Sequence, residues 1–276
     1  MNSAEELENS AIEQSESVSV GVYDRDGKRL EKPQLVIRER PVTLYLNGRE
    51  IVTLLCGGHN LDELAAGFLY AEGFLRSPED ILGLEIDEAA GAVKLSARED
   101  ASITESLWQK RTISSGCAKG SLFYFSLDAL LSKPVTSDVR ISPARILDRL
   151  EDLNRLSETY RRTHGVHNTA LADADRIILF RDDIGRHNAV DMIVGHVFLH
   201  GIALHDKMLL TTGRLTSELL IKAAKVNMPI LVSRNAATSL AVELAVSLGV
   251  TLIGYARAGK FMVYNGQERL DAGLPG

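Results

Sequence analysis

The sequence predicts an α/β protein in two parts: a smaller N-terminal α+β domain over residues 21–137 and a C-terminal α/β domain over residues 138–276. Three observations carry this. From Arg176 onward, short apolar β runs alternate with helical periods through polar turns. Before that, paired β runs surround a single strongly periodic helix. Between Pro134 and Pro143 apolar content falls, which marks the boundary. The 276 residues, 45% apolar and 25% charged, are ordinary globular composition.

The opening nineteen residues are acidic, Ser-rich and poor in large apolar side chains, so residues 1–20 read as a flexible tail or, alternatively, an acidic docking arm. Leu35–Ile37, Thr43–Leu46 and Ile51–Leu55 are β-rich, and Asn47-Gly48 between the last two tolerates the positive φ of a tight hairpin. Asn60 followed by Glu63 predicts a capping box that starts a helix. Leu61, Leu64, Ala65, Phe68 and Leu69 then give that helix one buried face. Leu84–Ile86 and Ala92–Leu95 form a second hairpin around Ala90-Gly91, and a helix is predicted from Ala144 to Tyr160.

In the C-terminal part the runs 176–180, 207–210, 229–232 and 250–255 are strands, and 260–264 pairs with the last through a turn at Gly259. Helices lie between them, carrying Val190, Ile193, Val194 and Val197 in the first, then 215–226 and 237–248. This alternation predicts a largely parallel sheet with helices on both faces.

Charge narrows the function classes. Lys and Arg number 31 against 37 Asp and Glu, and the excess acid sits mostly in the tail, so the body is near neutral. That argues against a general nucleic-acid binder, which needs a net basic face to release counterions. The sequence shows no signal peptide and no apolar run of membrane-spanning length, and its two cysteines cannot make a disulfide framework. A cytoplasmic location is expected, with no membrane partner.

In an open α/β sheet, ligands bind where turns gather at the carboxyl ends of the strands. Those turns contain Arg186 and His187, then Thr212, Gly213 and Arg214, then Thr238 and Ser239, then Tyr255, Ala256, Arg257, Ala258, Gly259 and Lys260. Four basic side chains beside small residues suit a phosphate-bearing ligand; the alternative is a set of capped helix starts with solvated arginines. Asp191, four residues after His187, lies on the same helix face and reads as a surface ion pair or as an orienter of the imidazole. The pairs His164/His167 and His196/His200 have spacings that metals use, but each supplies only two ligands. Structural or surface roles are expected for them, and no metal site is assigned.

Cys117 sits among small residues in Ser114–Ser121, with Lys110, Arg111 and Lys119 near enough in sequence to favour its thiolate. Cys56, after an apolar run and before Gly57-Gly58, reads as a small buried residue.

The segment from Cys56 to Gly73, Gly165-Val166-His167, the run Arg181 to Asp191 and Ala237 to Val242 together resemble the formate dehydrogenase accessory family, the FdhD sulfurtransferases. The Asp-x-Gly-Arg-His-Asn-Ala run at 183–189 is the most specific part. The resemblance implies a cytidine-deaminase-like mixed sheet flanked by helices in the C-terminal domain, and a homodimer. It implies a sulfurtransferase that takes persulfide sulfur from a cysteine desulfurase. The sulfur passes to the bis-molybdopterin guanine dinucleotide cofactor destined for formate dehydrogenase, with GDP as a mimic of that cargo. It places the persulfide on Cys117 and the cofactor stretch at Tyr255–Lys260. One departure stands out: many members carry C-x-x-C in the cysteine loop, and here the second position is Gly120. The alternative function is a chaperone that binds the molybdenum cofactor without chemistry.

Overall fold

The computed structural model describes residues 14–98 and 133–271. Its N-terminal part holds a two-stranded ribbon, β1 (Ser15–Tyr23) with β2 (Arg29–Ile37), and a four-stranded sheet. That sheet, of β3 (Arg40–Leu46), β4 (Arg49–Cys56), β5 (Ile81–Asp87) and β6 (Ala92–Ala97), has the order β4-β3-β6-β5 and packs against α1 (Leu61–Ala71). Asn47 and Gly48 take φ of 51° and 77° in the hairpin, as their residue types demand.

Two expectations here are corrected. β1 begins inside the predicted tail, because all nine of its residues pair with β2, a partner that local composition does not reveal. The capping box at Asn60 does not form: Asn60 sits at φ 46° with no side-chain cap, and Glu63 is drawn to Arg181 and His196 instead.

The C-terminal part comprises α2 (Pro143–Leu156), α3 (Glu158–Thr163), β7 (His167–Ala172), β8 (Ile177–Asp183), α4 (Arg186–His200), β9 (Met208–Thr211), α5 (Ser217–Lys225), β10 (Ile230–Ser233), α6 (Ser239–Leu248), β11 (Thr251–Arg257) and β12 (Lys260–Asn265). The single helix predicted to Tyr160 breaks at Ser157, whose hydroxyl caps α3 and bonds Asn168. Val135 already packs with the C-terminal core and its N–H donates to Leu248 O, so the chain joins this body before residue 138.

The six strands have the order β12-β11-β10-β9-β7-β8. β9, β10 and β11 are parallel, but β7 is antiparallel to both its neighbours and β12 is antiparallel to β11. The sheet is therefore mixed rather than largely parallel, because β7, which sequence reading passed over, inserts between β8 and β9. β8, β9, β10 and β11 still run the same way, so their carboxyl ends share one edge.

Alternation along each strand builds two cores. Leu171, Leu209, Leu231 and Leu252 face α4, α5 and α6, while Ala170, Leu210, Val232 and Ile253 face α2. The two parts are joined by α1 against α4, which cross where two glycines meet. A Cβ on Gly67 would lie 1.8 Å from Asp191 O, and one on Gly195 would lie 1.9 Å from Glu63 O, so no other residue permits this approach. Met192 and Phe198 of α4 complete the N-terminal core, Phe198 stacking on Tyr70 with centroids 4.5 Å apart. Among the described residues no helix is long and apolar enough to cross a membrane.

Candidate functional site

The shared carboxyl edge is a set of mutually bonded turns. Asn235 ties the turn after β9 to β11: its Nδ2 donates to Thr212 O at 2.8 Å, and its carbonyl accepts from Tyr255 N at 3.1 Å. Ser233 Oγ donates to Gly213 O, and Leu215 and Ala236–Thr238 exchange backbone bonds. Arg186, in the first turn of α4, lies over Gly213, where a Cβ would be 2.9 Å from the Arg186 side chain. The structure thus brings Arg186, Thr212, Gly213, Arg214, Thr238, Ser239 and the 255–260 hairpin to one rim.

Their roles within the rim differ. Arg214, Arg257 and Lys260 are exposed, and Arg257 lies opposite Lys260 in the hairpin register. Thr238 caps α6, accepting from Ala241 N at 3.4 Å, and Ala256 is only 2% exposed and packs in the α2-facing core. Ala256 therefore offers a ligand no side chain. Tyr255 and Ala258 both hold φ of 51°, an uncommon conformation for residues with a Cβ. The Arg257 guanidinium sits 5.8 Å from the Tyr255 ring centre.

Beneath the rim, Asp183 at the end of β8 ties the two parts of the chain together. Its fully buried carboxylate accepts from Gly57 N at 2.7 Å, Gly185 N at 2.8 Å and Asn188 Nδ2 at 2.7 Å. The Asn188 amide also donates to Leu55 O at 2.8 Å. Burial raises the Asp183 carboxyl above the usual range, against these three bonds, which favour its charged form.

His187 and Asp191 do not form the expected surface pair. Both are buried, and Asp191 is held by Lys222 of α5, whose Nζ lies 2.7 Å from Oδ1. His187 Nε2 instead lies 3.5 Å from Glu218 Oε2. Burial pushes His187 down to about 4, which makes it neutral at pH 7. Burial also opposes the charge of Lys222, but Asp191, Glu218 and Glu72 outweigh it and hold the ammonium.

A cavity of about 460 Å³ opens beside this cluster, bounded by β4, which ends its sheet among the described residues, by α1, by the start of α4 and by α5. Sequence reading missed it, since its walls come from four elements more than 150 residues apart at the extremes.

Three of the other histidines have protein partners at a ring nitrogen. His196 Nδ1 is 2.7 Å from Glu63 Oε1, His200 Nδ1 is 2.9 Å from His196 O, and His167 Nδ1 is 3.4 Å from Thr212 Oγ1. Among the described residues no three His, Cys, Asp or Glu side chains converge as a metal would need.

Cys56 is fully buried, as its apolar surroundings predict, and burial, then the Asp183 charge, push its thiol up to about 12. Cys117 and Gly120 lie outside the described residues.

The FdhD/NarQ family profile matches residues 37–271. A Bacillus subtilis relative named sulfur carrier protein FdhD is 41% identical over 235 residues, 85% of this chain and 90% of its own length. The Staphylococcus aureus (strain MRSA252) protein of the same name is 36% identical over 259 residues, covering 93% and 98%. A crystal structure described as a formate dehydrogenase accessory protein from Desulfotalea psychrophila superposes with a TM-score of 0.76 at 28% identity, covering 93% of this chain and 99% of that one. With most of its length matched in both sequence and fold, this chain belongs to the FdhD/NarQ family.

Proposed function

We propose that this chain is a sulfur carrier serving formate dehydrogenase, with Cys117 as the carrying residue and the basic carboxyl rim as the seat of a bis-molybdopterin guanine dinucleotide cargo. The observation that carries the reading is the state of Cys56. A sulfur carrier needs an ionisable, reachable thiol, and this chain has two cysteines. Cys56 is walled in, with a thiol at about 12, which leaves Cys117.

In the loading step the Cys117 thiolate attacks the outer sulfur of the desulfurase persulfide. The donor's S–S bond breaks, its cysteine leaves as thiolate, and Cys117 holds the persulfide. Releasing that sulfur as sulfide requires two electrons. With glycine at 120 and Cys56 sealed, no second thiol of this chain supplies them, so an external thiol does, becoming the disulfide partner of Cys117 before a second thiol frees it. The cargo is bound by its diphosphates at Arg186, Arg214, Arg257 and Lys260, with the N–H groups at the start of α6 adding positive potential.

Mass spectrometry after incubation with a cysteine desulfurase and cysteine tests the reading. One added sulfur atom is expected on Cys117 and none on Cys56. Cys117→Ala loses the adduct, keeps GDP binding, and fails to restore formate dehydrogenase activity in cells lacking the protein. Gly120 favours a second reading, a cargo chaperone without chemistry, and restoration by Cys117→Ala would establish it.

A further inference from the structure

The cavity differs in chemistry from the rim it adjoins. The rim presents Arg214, Arg257 and Lys260 to solvent, whereas the cavity lining carries more acid than base. Lys222 is shared between Asp191 and Glu218, so acid still outnumbers base along the lining and disfavours an incoming diphosphate. A neutral ring rich in N–H donors is suited to it. Leu55 and Phe68 supply apolar walls, and a volume of about 460 Å³ falls within the roughly 300–1,000 Å³ of small-molecule sites.

One polar group marks the place of such a ligand. His187 is 5% exposed and lines the cavity, and its Nε2 makes no hydrogen bond among the described residues. A buried ring nitrogen left so loses its hydration without a replacement, and a ligand that bonds it recovers that loss. Beside it is the Glu218 carboxylate, 3.5 Å away. A 2-amino-4-oxopyrimidine edge matches this pair: adjacent N–H groups face a carboxylate and the ring carbonyl or nitrogen faces the imidazole.

We propose that this cavity holds the pterin ring of the cargo, with His187 and Glu218 reading its amino-oxo edge. The inference rests on the cargo reading above and divides its ligand between two chemistries. Arg186 borders both regions, lying over Gly213 at the rim and lining the cavity, so a ligand joining them passes along it. Guanine has the same amino-oxo edge, but the exposed Tyr255 ring with Arg257 beside it offers the guanine a stacking face at the far end.

The full chain is titrated with 6-hydroxymethylpterin, followed by its fluorescence, and separately with GDP by calorimetry. Saturable pterin binding that GDP does not displace is expected. Leu55→Trp, at a position 57% exposed and so tolerant of the larger ring, narrows the cavity mouth. It weakens pterin binding tenfold or more and leaves GDP affinity within about twofold. His187→Ala weakens pterin binding about tenfold, the equivalent of 1.4 kcal/mol, with its melting curve reporting that the fold survives. No pterin binding, displacement by GDP one for one, or unchanged affinity in Leu55→Trp overturns the inference. A chain that loads sulfur on Cys117 yet takes no pterin loses only this inference. A chain that takes pterin but never loads sulfur loses the carrier reading.

Discussion

Glu72, which caps the end of α1, gives a direct test of how the buried charges at the junction are balanced. It is 8% exposed, and burial pushes its carboxyl up to about 7, against attraction from Lys222 and Lys225 and with added repulsion from Asp191 and Glu218. An unfolded glutamate titrates near ~4.3, so between that pH and 7 the folded state keeps a proton that the unfolded chain has released. Folding stability then falls by about 1.4 kcal/mol per pH unit across the window, to a total of roughly 3 kcal/mol by pH 7–8. Glu72→Gln keeps the shape and cannot ionise, so its stability does not fall on this account. It also removes the carboxylate that supports the Lys225 ammonium, which burial has already pushed down to about 8, and this trims the gain. The expected result is near-equal stability at pH 4.5 and an advantage of about 2 kcal/mol for Glu72→Gln at pH 8. Urea denaturation followed by far-ultraviolet circular dichroism at pH 4.5, 6, 7 and 8 measures the difference, in which the titrating groups remote from Glu72 cancel and Lys225 contributes the trimming just described. A variant less stable than the parent at pH 8, or a difference that does not change with pH, would refute the reasoning.

Gly195→Ala places a Cβ where 1.9 Å now separates it from Glu63 O, and ordinary contact begins at 3.4 Å. Helices α1 and α4 must part, at a cost of about 3 kcal/mol or more, lowering the melting temperature by roughly 6–12 °C; an unchanged melt would show that this crossing yields easily. Asp183→Asn turns an amide donor toward one of three N–H groups, so unfolding free energy drops by about 2–4 kcal/mol, and amide exchange at Gly57 accelerates. In the native protein at pH 7.5, iodoacetamide modifies Cys117 and spares Cys56, whose thiol at about 12 yields almost no thiolate; Cys56 reacts only after unfolding in urea.

How much of this was legible in the sequence depended on whether the signal was local. The period of Leu61, Leu64, Ala65, Phe68 and Leu69 fixes α1, and Asn47-Gly48 fixes its hairpin, because each is a short-range preference. β1 has no comparable signal, since its pairing to β2 across the Asp24–Lys28 turn is what holds it. β7 is six residues of which the first three are polar, and its histidine drew attention to metal spacing rather than to a strand. Missing it turned a mixed sheet into a largely parallel one on paper, although β8 to β11 do share one direction, so the turns that follow them meet at one edge. The i,i+4 spacing of His187 and Asp191 is real, but Asp191 finds its partner 31 residues later in Lys222. No pattern within α4 contains that information, and the cavity beside it is likewise a product of packing between α1, β4 and α5.

The density of unusual residues at 183–188 has a geometric explanation. Asp183 ends β8 and accepts from the Gly57 loop, which fixes the N-terminal sheet to the C-terminal one. Gly185 leaves room for the Asn188 amide, whose nearest atom would be 3.0 Å from a Cβ there. Then α4 begins, and successive residues on a helix point about 100° apart. Three neighbours therefore aim at three different places: Arg186 over Gly213 at the rim, His187 into the cavity toward Glu218, and Asn188 back to Leu55 O on β4. A hinge between the two parts would break the bonds of Asp183 and Asn188 and separate the Gly67–Gly195 crossing at once. The rim and the cavity consequently keep one fixed relation, and a ligand that spans them meets a site already assembled, without a further ordering cost.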